Sequence, residues 1–160
     1  MAQLTTGIGY DCHAFAEGRR LILGGVEIEH ERGLAGHSDA DVLTHAVMDA
    51  LLGAAGLGDI GQMFPDDDER YLDADSVILL ESVVTAVTAT GLEPINVDAT
   101  LIMQRPRLAP HREAICRRLA QPLGLPVQRV NVKATTNEGM GFVGREEGVA
   151  ALAIVSLRQR

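Results

Sequence analysis

Asp11, His13 and His45 are of the residue types that bind divalent metals in proteins. Asp11 and His13 are separated by one residue at the end of an alternating, strand-like segment at 4–10. Since successive side chains of a strand point to opposite faces, we expect their carboxylate and imidazole to lie side by side, with Cys12 turned away. His45 follows on an amphipathic stretch. Three protein ligands with a fourth position open are typical of a catalytic zinc site rather than of a structural one.

An alternative interpretation of the same three residues needs no metal. Asp-x-His pairs arise by chance, and a histidine on an amphipathic helix is more often a hydrogen-bonded core residue than a ligand. The metal hypothesis therefore depends on the elements that would position the three side chains, and on the other motifs of the chain.

The helix that carries His45 is predicted over 39–52. Ser38 is a capping residue type followed three positions later by Asp41, and apolar residues then recur at helical spacing. Asp41, His45 and Asp49 occur at every fourth position, so either carboxylate is placed to bond the imidazole and fix its tautomer. The sequence leaves open which of the two does so.

The remaining segments predict a sheet with helices packed on it. Gly24-Gly25 indicates a hairpin of 21–23 with 26–28, and the glycine-rich stretch 53–68 predicts a mobile loop with one helical turn at most. The last strand is apolar at almost every position, which predicts that both of its faces are covered. Helices are predicted over 75–90 and 110–123, and strands over 95–103, 129–135 and 149–157.

Composition limits the class of protein and its partners. The 160 residues are 46% hydrophobic and 22% charged, as expected of one domain. We expect a single catalytic domain over 1–160 of the α/β (α+β) class, with a mixed β-sheet backed by helices on one face. A net charge of −8 and an aromatic fraction of 3% argue against nucleic acid as a partner. Without a membrane-length apolar run, an export signal or paired cysteines, we expect a cytoplasmic protein with no membrane partner and no disulfide.

Two further segments are suited to binding phosphate. His37 and Ser38 stand at a helix start, where the dipole favours an anion, although ordinary capping is the simpler explanation of these two residues alone. The segment 133–138 offers a cation, hydroxyls and a carboxylate before the glycine-rich stretch 139–145. Glu138 is suited to Mg²⁺, which prefers one or two carboxylates together with substrate oxygens, but it is equally well explained as a solvated loop acid.

Five motifs occur in order along the chain: Gly9-Tyr10-Asp11-Cys12-His13, Gly36-His37-Ser38-Asp39-Ala40-Asp41, Gly58-Asp59-Ile60-Gly61, Phe64-Pro65-Asp66 and Lys133-Ala134-Thr135-Thr136-Asn137-Glu138. Together they closely resemble the 2-C-methyl-D-erythritol 2,4-cyclodiphosphate synthase family of the non-mevalonate (MEP) pathway of isoprene and terpenoid biosynthesis. The match runs from the first strand to the last, and several ordered motifs are far more specific than any one of them.

The resemblance implies a homotrimer with active sites between subunits, and it assigns two metal sites. Zinc is held by the residues that match Asp11, His13 and His45, and Mg²⁺ or Mn²⁺ by Glu138. His37, Thr135 and Thr136 are the implied catalytic residues. The implied substrate-binding residues are Ser38, Asp59, Gly61, Asp66, Pro106, Arg107, Leu108, Ala109, Lys133 and Ala134, and Phe142 and Arg145 towards the threefold axis.

Two positions depart from what the resemblance leads us to expect. Arg107 stands where a lysine is common in such pockets, and a guanidinium does not replace an ammonium contact for contact. Glu146 stands where we expect a smaller residue. The sequence assigns no catalytic role to Glu146.

The implied reaction is an intramolecular phosphoryl transfer by a phosphorus-oxygen lyase. The 2-phosphate of 4-diphosphocytidyl-2-C-methyl-D-erythritol 2-phosphate attacks the β-phosphorus, closes a ring and releases CMP. No protein nucleophile is required, in agreement with a chain that offers no convincing Ser-His-Asp or Cys-His arrangement. Two alternatives remain: a metal-dependent phosphohydrolase in which water attacks, and a non-catalytic trimeric protein that binds an isoprenoid diphosphate around Phe142, Arg145 and Glu147.

Overall fold

A mixed five-stranded sheet organises the part of the chain that the structure describes, residues 4–160 of a computed structural model. The strands are β1 (Leu4–Ala16), β2 (Leu21–Leu23), β3 (Val26–Ile28), β4 (Gly33–Leu34), β5 (Leu92–Ile102), β6 (Val130–Thr135) and β7 (Gly148–Gln159). The sheet has the order β4-β1-β7-β5-β6, in which β5 and β6 are parallel and the other neighbours are antiparallel. β2 and β3 form the predicted hairpin, and Gly24 and Gly25 take the positive φ values that its turn requires.

The helices cover one face of this sheet. They are α1 (Val42–Ala55), α2 (Ile60–Met63), α3 (Ser76–Ala89), α4 (Arg112–Leu123) and α5 (Gly141–Gly144). α1 packs on β1 and β7, and α4 connects the parallel strands β5 and β6 and packs on β6. The predicted fold class, a mixed sheet backed by helices, is confirmed. Among residues 4–160 no helix is long and apolar enough to cross a membrane.

Two glycines of β1 let α1 lie directly against the strand. A Cβ built on Gly7 would lie 2.0 Å from the carbonyl oxygen of Ala50, and one on Gly9 would lie 1.9 Å from that of Ala46. Side chains larger than hydrogen would push the helix away, because both opposing atoms belong to its backbone. This close approach brings His45 of α1 next to Asp11 and His13 of β1.

Several element boundaries differ from the sequence expectation, and two of them bear on the site. β1 continues to Ala16, so Asp11 and His13 lie within a paired strand, opposite residues of β7, rather than at its end. α1 begins at Val42 instead of 39 because Asp41, not Ser38, is its N-cap and accepts a hydrogen bond from the Thr44 N–H.

The prediction that the last strand is covered on both faces is wrong for the single chain. Leu152 and Ile154 of β7 are exposed, because the helices pack on the opposite face of the sheet. An almost entirely apolar strand that exposes one face requires another covering element, and no part of residues 4–160 supplies it.

Candidate metal centre

β1 and α1 bring the three predicted metal ligands together. The carboxylate Oδ2 of Asp11 lies 2.8 Å from Nε2 of His13 and 3.1 Å from Nδ1 of His45. The two imidazole nitrogens lie 3.3 Å apart. Asp11 and His13 are neighbours on one face of the strand, as predicted, and Cys12 is exposed on the other.

The three donor atoms fit a zinc ion. Ligand atoms at about 2.0–2.1 Å from a tetrahedral zinc are about 3.3 Å apart, which agrees with the observed separations of 2.8 to 3.3 Å. One carboxylate oxygen and two imidazole nitrogens form a mixed O/N donor set of the kind that zinc accepts. The residues therefore fit the metal that the sequence suggested.

The three side chains shift one another's pKa values. Burial by itself raises the pKa of Asp11, but the close contacts of its carboxylate with the imidazoles of His13 and His45 outweigh burial and lower that pKa to about 2. Burial acts to lower the pKa of His13, while the adjacent Asp11 carboxylate raises it overall. Asp11 is thus ionised at neutral pH and ready to balance positive charge.

A backbone carbonyl orients the ring of His13. Its Nδ1–H donates a hydrogen bond of 2.6 Å to the carbonyl oxygen of Ala35, in the segment that follows β4. Since the proton is then on Nδ1, the lone pair of Nε2 points towards Asp11 and His45.

Neither carboxylate considered from the sequence as the partner of His45 contacts its ring. Asp41 instead accepts hydrogen bonds from the N–H groups of Gly24 and Gly25 and from Thr44, so it joins the hairpin to the start of α1. Asp49 accepts a hydrogen bond from the N–H of Ile60. The expectation that one of these carboxylates contacts His45 was wrong, because both accept hydrogen bonds from backbone N–H groups of neighbouring segments instead.

The outer nitrogen of His45 faces two hydroxyls. Its Nε2 lies 2.9 Å from Oγ of Ser76 and 3.2 Å from Oγ of Ser38. Ser76 is the first residue of α3, distant in sequence, and no sequence motif pointed to it. The sequence predicted a helix starting near 75, but this prediction does not indicate a contact between its first turn and His45.

A cavity of about 200 Å³ opens beside the three ligands. It is bounded by the loop before α1, by α2 and by the segment that follows α2, and Phe64 and Tyr71 meet edge to face in its wall. The sequence-predicted residues that line it are Asp11, His13, His37, Ser38, His45, Gly61 and Asp66. Asp59 lies at its margin as the N-cap of α2, where it accepts hydrogen bonds from Gln62.

A second group of predicted residues gathers elsewhere, at the end of β6 and the loop that follows β5. The Met103 N–H donates to the carbonyl of Thr135, and the Asn137 N–H donates to the side chain of Gln104. These bonds hold the loop and the strand end together. The group comprises Pro106, Arg107, Leu108, Ala109, Ala134, Thr135, Thr136 and Glu138, and none of them lines the 200 Å³ cavity.

Three further predicted residues also lie outside the lining of the cavity, and one of them, Lys133, directly precedes Ala134 of the second group. The Lys133 ammonium is 2.6 Å from Asp98, a residue of the neighbouring strand β5. Arg145 pairs with Glu147 at 2.9 Å, and Phe142 is partly exposed on α5. Within the described residues, the single chain therefore presents the cavity beside Asp11, His13 and His45 and the second group as separate surfaces.

The fold and this site define an α+β protein with an open metal centre of two histidines and one aspartate. A sequence model described as the YgbB family matches residues 4–158. The chain therefore belongs to the YgbB family.

Relatives and solved structures support the same assignment. A protein of Alkaliphilus metalliredigens named 2-C-methyl-D-erythritol 2,4-cyclodiphosphate synthase is 56% identical over 98% of both chains. A solved 2C-methyl-D-erythritol-2,4-cyclodiphosphate synthase with CDP bound is 39% identical, has a TM-score of 0.87 and covers 95% of this chain and 99% of its own. The bifunctional IspDF of Campylobacter jejuni superposes with a TM-score of 0.96 at 45% identity, and this chain spans all of its own length but 43% of that protein. The resemblance seen in the sequence motifs is thus confirmed.

Proposed function

We propose that this protein is a metal-dependent phosphorus-oxygen lyase that converts 4-diphosphocytidyl-2-C-methyl-D-erythritol 2-phosphate into 2-C-methyl-D-erythritol 2,4-cyclodiphosphate and CMP. The observation that carries the proposal is the convergence of Asp11, His13 and His45 beside a cavity lined by His37 and Ser38. The names of relatives that match nearly the full length give the product, 2-C-methyl-D-erythritol 2,4-cyclodiphosphate.

The reaction balances without water and without a protein nucleophile. An oxygen of the 2-phosphate forms a bond to the β-phosphorus, and the bond from that phosphorus to the oxygen bridging to the α-phosphate breaks. The electron pair leaves on CMP. Zinc held by Asp11, His13 and His45, and Mg²⁺ or Mn²⁺ held by Glu138, would supply Lewis acids that neutralise phosphate charge.

On this proposal the cavity binds and orients the reacting half of the substrate. His37 and Ser38 contact its phosphate, and Asp59, Gly61 and Asp66 bind the methylerythritol hydroxyls. His37 is held for this role, since its Nε2–H donates to the carbonyl of Asp68 at 2.9 Å. Bringing the 2-phosphate and the diphosphate together is itself catalytic, because it replaces an encounter of two anions by a preformed contact.

The second group binds the nucleotide half. Pro106, Arg107, Leu108 and Ala109 would contact the cytidine, with Lys133 and Ala134 at the edge of the pocket, and Thr135 and Thr136 would position the phosphates beside Glu138. The CDP in the solved relative agrees with a cytidine phosphate as ligand. Because this group and the metal cavity are separate surfaces of one chain, we infer that neighbouring subunits complete each site.

We propose a homotrimer, with the apolar sheet face between its subunits. The exposed residues of this face are Leu4, Ile8, Tyr10, Leu152 and Ile154. In the register of β1 and β7, Ile8 is opposite Ile154 and Tyr10 is opposite Leu152, so the exposed side chains form one continuous patch. On this proposal Phe142 and Arg145 lie near the threefold axis and bind an isoprenoid diphosphate.

Both described cysteines are free, which agrees with action in the cytoplasm.

The test of the proposed function is product analysis. Purified protein is incubated with the substrate, with and without zinc and magnesium, and the products are weighed by mass spectrometry. We expect CMP and a cyclic diphosphate, and no product when both metals are removed. A product heavier by one water would instead support the metal-dependent phosphohydrolase, and substrate binding without any turnover would support the non-catalytic binding protein.

A further inference from the structure

The buried hydroxyl of Ser76 donates its proton to Asp39. Its side chain is 0% exposed at the start of α3. The hydroxyl donates to Oδ1 of Asp39, and the backbone N–H of the same serine donates to Oδ2 of that carboxylate at 3.0 Å. Asp39 therefore binds both donors of Ser76 and has no proton of its own to give when ionised.

The direction of the hydrogen bond from Ser76 to Asp39 determines whether Ser76 acts as a donor or as an acceptor towards His45. A serine hydroxyl has one proton, so when that proton goes to Asp39 the oxygen can only accept from Nε2 of His45, 2.9 Å away. The ring must then carry its proton on Nε2. Nδ1 is left with a free lone pair directed towards Asp11 and His13.

Without the carboxylate, the bond between Ser76 and His45 could run the other way. The hydroxyl could donate to Nε2, the ring proton would move to Nδ1, and Nδ1 could no longer bind a metal. Ser38 is the other neighbour of Nε2, but its oxygen is farther away, at 3.2 Å, and it also accepts from the Ala40 N–H. Ser76 is thus the nearer acceptor of the two.

We propose that Asp39 and Ser76 form a relay that fixes the tautomer and orientation of His45 for metal binding. The proposal rests on the proposed metal site and makes both residues positioning residues, since neither touches the metal or the substrate. It also assigns a role to the start of α3, which lies 31 residues from His45 in sequence but reaches the centre through this hydroxyl.

The proposal is tested by zinc affinity in the absence of substrate, measured by calorimetry with a competing chelator. Ser76→Ala removes the acceptor without changing any charge, and we expect zinc to bind about 10- to 100-fold more weakly, the usual effect of losing such a partner. Ser76→Thr keeps the hydroxyl and should restore most of the affinity. Asp39→Asn should weaken binding as well, because an amide in this place cannot accept from both donors of Ser76.

Thr44→Ala is the matched control. Thr44 precedes His45, is 0% exposed and donates its hydroxyl to Asp41 at 2.7 Å, but it does not touch the imidazole. Its loss should lower the melting temperature and leave zinc affinity unchanged, which separates a structural effect from a positioning effect.

A second readout follows the tautomer itself. In the zinc-loaded parent, nitrogen-15 NMR should show the His45 proton on Nε2. Among the metal-free proteins, the share of this tautomer should be lower in Ser76→Ala than in the parent. Zinc affinity within twofold of the parent in folded Ser76→Ala would overturn the relay. If that variant does not fold, unchanged affinity in Asp39→Asn would overturn it. A parent that binds no zinc would overturn the metal centre as well, so the two failures are distinguishable.

Discussion

The donor atoms of Asp11, His13 and His45 lie 2.8 to 3.3 Å from one another, close enough for one metal ion to contact all three. Removing one ligand of three leaves a weak two-ligand site, because the third contact cannot be replaced by the protein. His45 is the most informative of the three, since it is the ligand supplied by the helix.

His45→Ala should lose bound zinc and cyclisation together. We expect metal content, measured by atomic absorption after dialysis, to fall close to zero, and turnover to fall with it. His30→Ala is the control, because His30 packs beside Phe15 outside the cavity. A His45→Ala protein with full activity after metal removal would contradict the zinc assignment.

Glu138 is exposed in the loop that follows β6 and has a positive φ of 51°. Glu138→Gln keeps the shape of the side chain but removes the charge that a hard cation requires. We expect a large loss of turnover at fixed magnesium, partly recovered at higher magnesium, with little change in melting temperature. Glu81→Gln, an exposed acid on α3, should change neither. Equal magnesium dependence in the Glu138 variant and the parent would exclude the role.

At the scale of elements, the contact between β1 and α1 decides whether the ligands meet. Gly9→Ala would place a methyl group 1.9 Å from the backbone oxygen of Ala46, so strand and helix must separate. We expect a destabilisation of about 2–3 kcal/mol, as for other overpacked contacts, and weaker zinc binding. Urea unfolding and zinc titration measure the two effects.

Gly53→Ala is the matched control for this prediction. Gly53 lies on α1, and a Cβ there would have Ile8 O as its nearest atom, at 3.9 Å. An alanine therefore has room, and helix propensity should stabilise the protein by about 0.5–1 kcal/mol. Equal losses of stability in both variants would show that the β1–α1 contact is not the cause.

The loop after β5 is tied to the segment after α5 by a two-pronged ion pair. Arg105 donates to both carboxylate oxygens of Glu146, at 2.8 and 2.6 Å, and Glu146 holds a positive φ of 57°. This pair accounts for the presence of an acid where a smaller residue was expected. A bidentate pair fixes geometry better than a single contact, even where exposure limits its contribution to stability.

Glu146→Ala should therefore loosen the proposed nucleotide loop without unfolding the protein. We expect KM to rise about three- to tenfold, because the variant removes a contact that positions the loop before the reaction, with kcat nearly unchanged. Glu113→Ala removes the exposed partner of Arg117 on α4 and serves as the control. A KM that does not move would exclude a positioning role for the pair.

At the scale of the whole molecule, the apolar sheet face is the surface that another copy should cover. Ile8 is 69% exposed in the single chain, at the centre of the patch with Ile154 opposite. Ile8→Glu would place a charge in the proposed interface, where burial without a partner is costly. Light scattering should then give a mass near the 17.1 kDa of one chain instead of three times that value.

Loss of the oligomer should remove activity even though the metal ligands stay intact, because each site would lack its nucleotide half. Ile78→Glu is the control: Ile78 is 58% exposed on α3, on the helical side of the molecule, and its substitution should leave the trimer intact. A fully active monomer of Ile8→Glu would contradict the shared site.

The sequence by itself determined the parts of this protein that depend on local periodicity. Alternation predicted that Asp11 and His13 share a face of β1, helical spacing predicted that His45 lies on α1, and Gly24-Gly25 predicted the hairpin. The ligand trio was also within reach of sequence reasoning, because residue type and spacing limit metal chemistry strongly.

The tertiary structure alone decided which groups meet across long separations. It showed that Ser76 and not Asp41 or Asp49 contacts the ring of His45, and that Asp41 caps α1 while binding the hairpin. It also showed that β7 has an exposed face despite its apolar sequence. The physical reason is that a periodic pattern encodes which side of an element is buried, whereas the partner on that side is chosen by the packing of all elements at once.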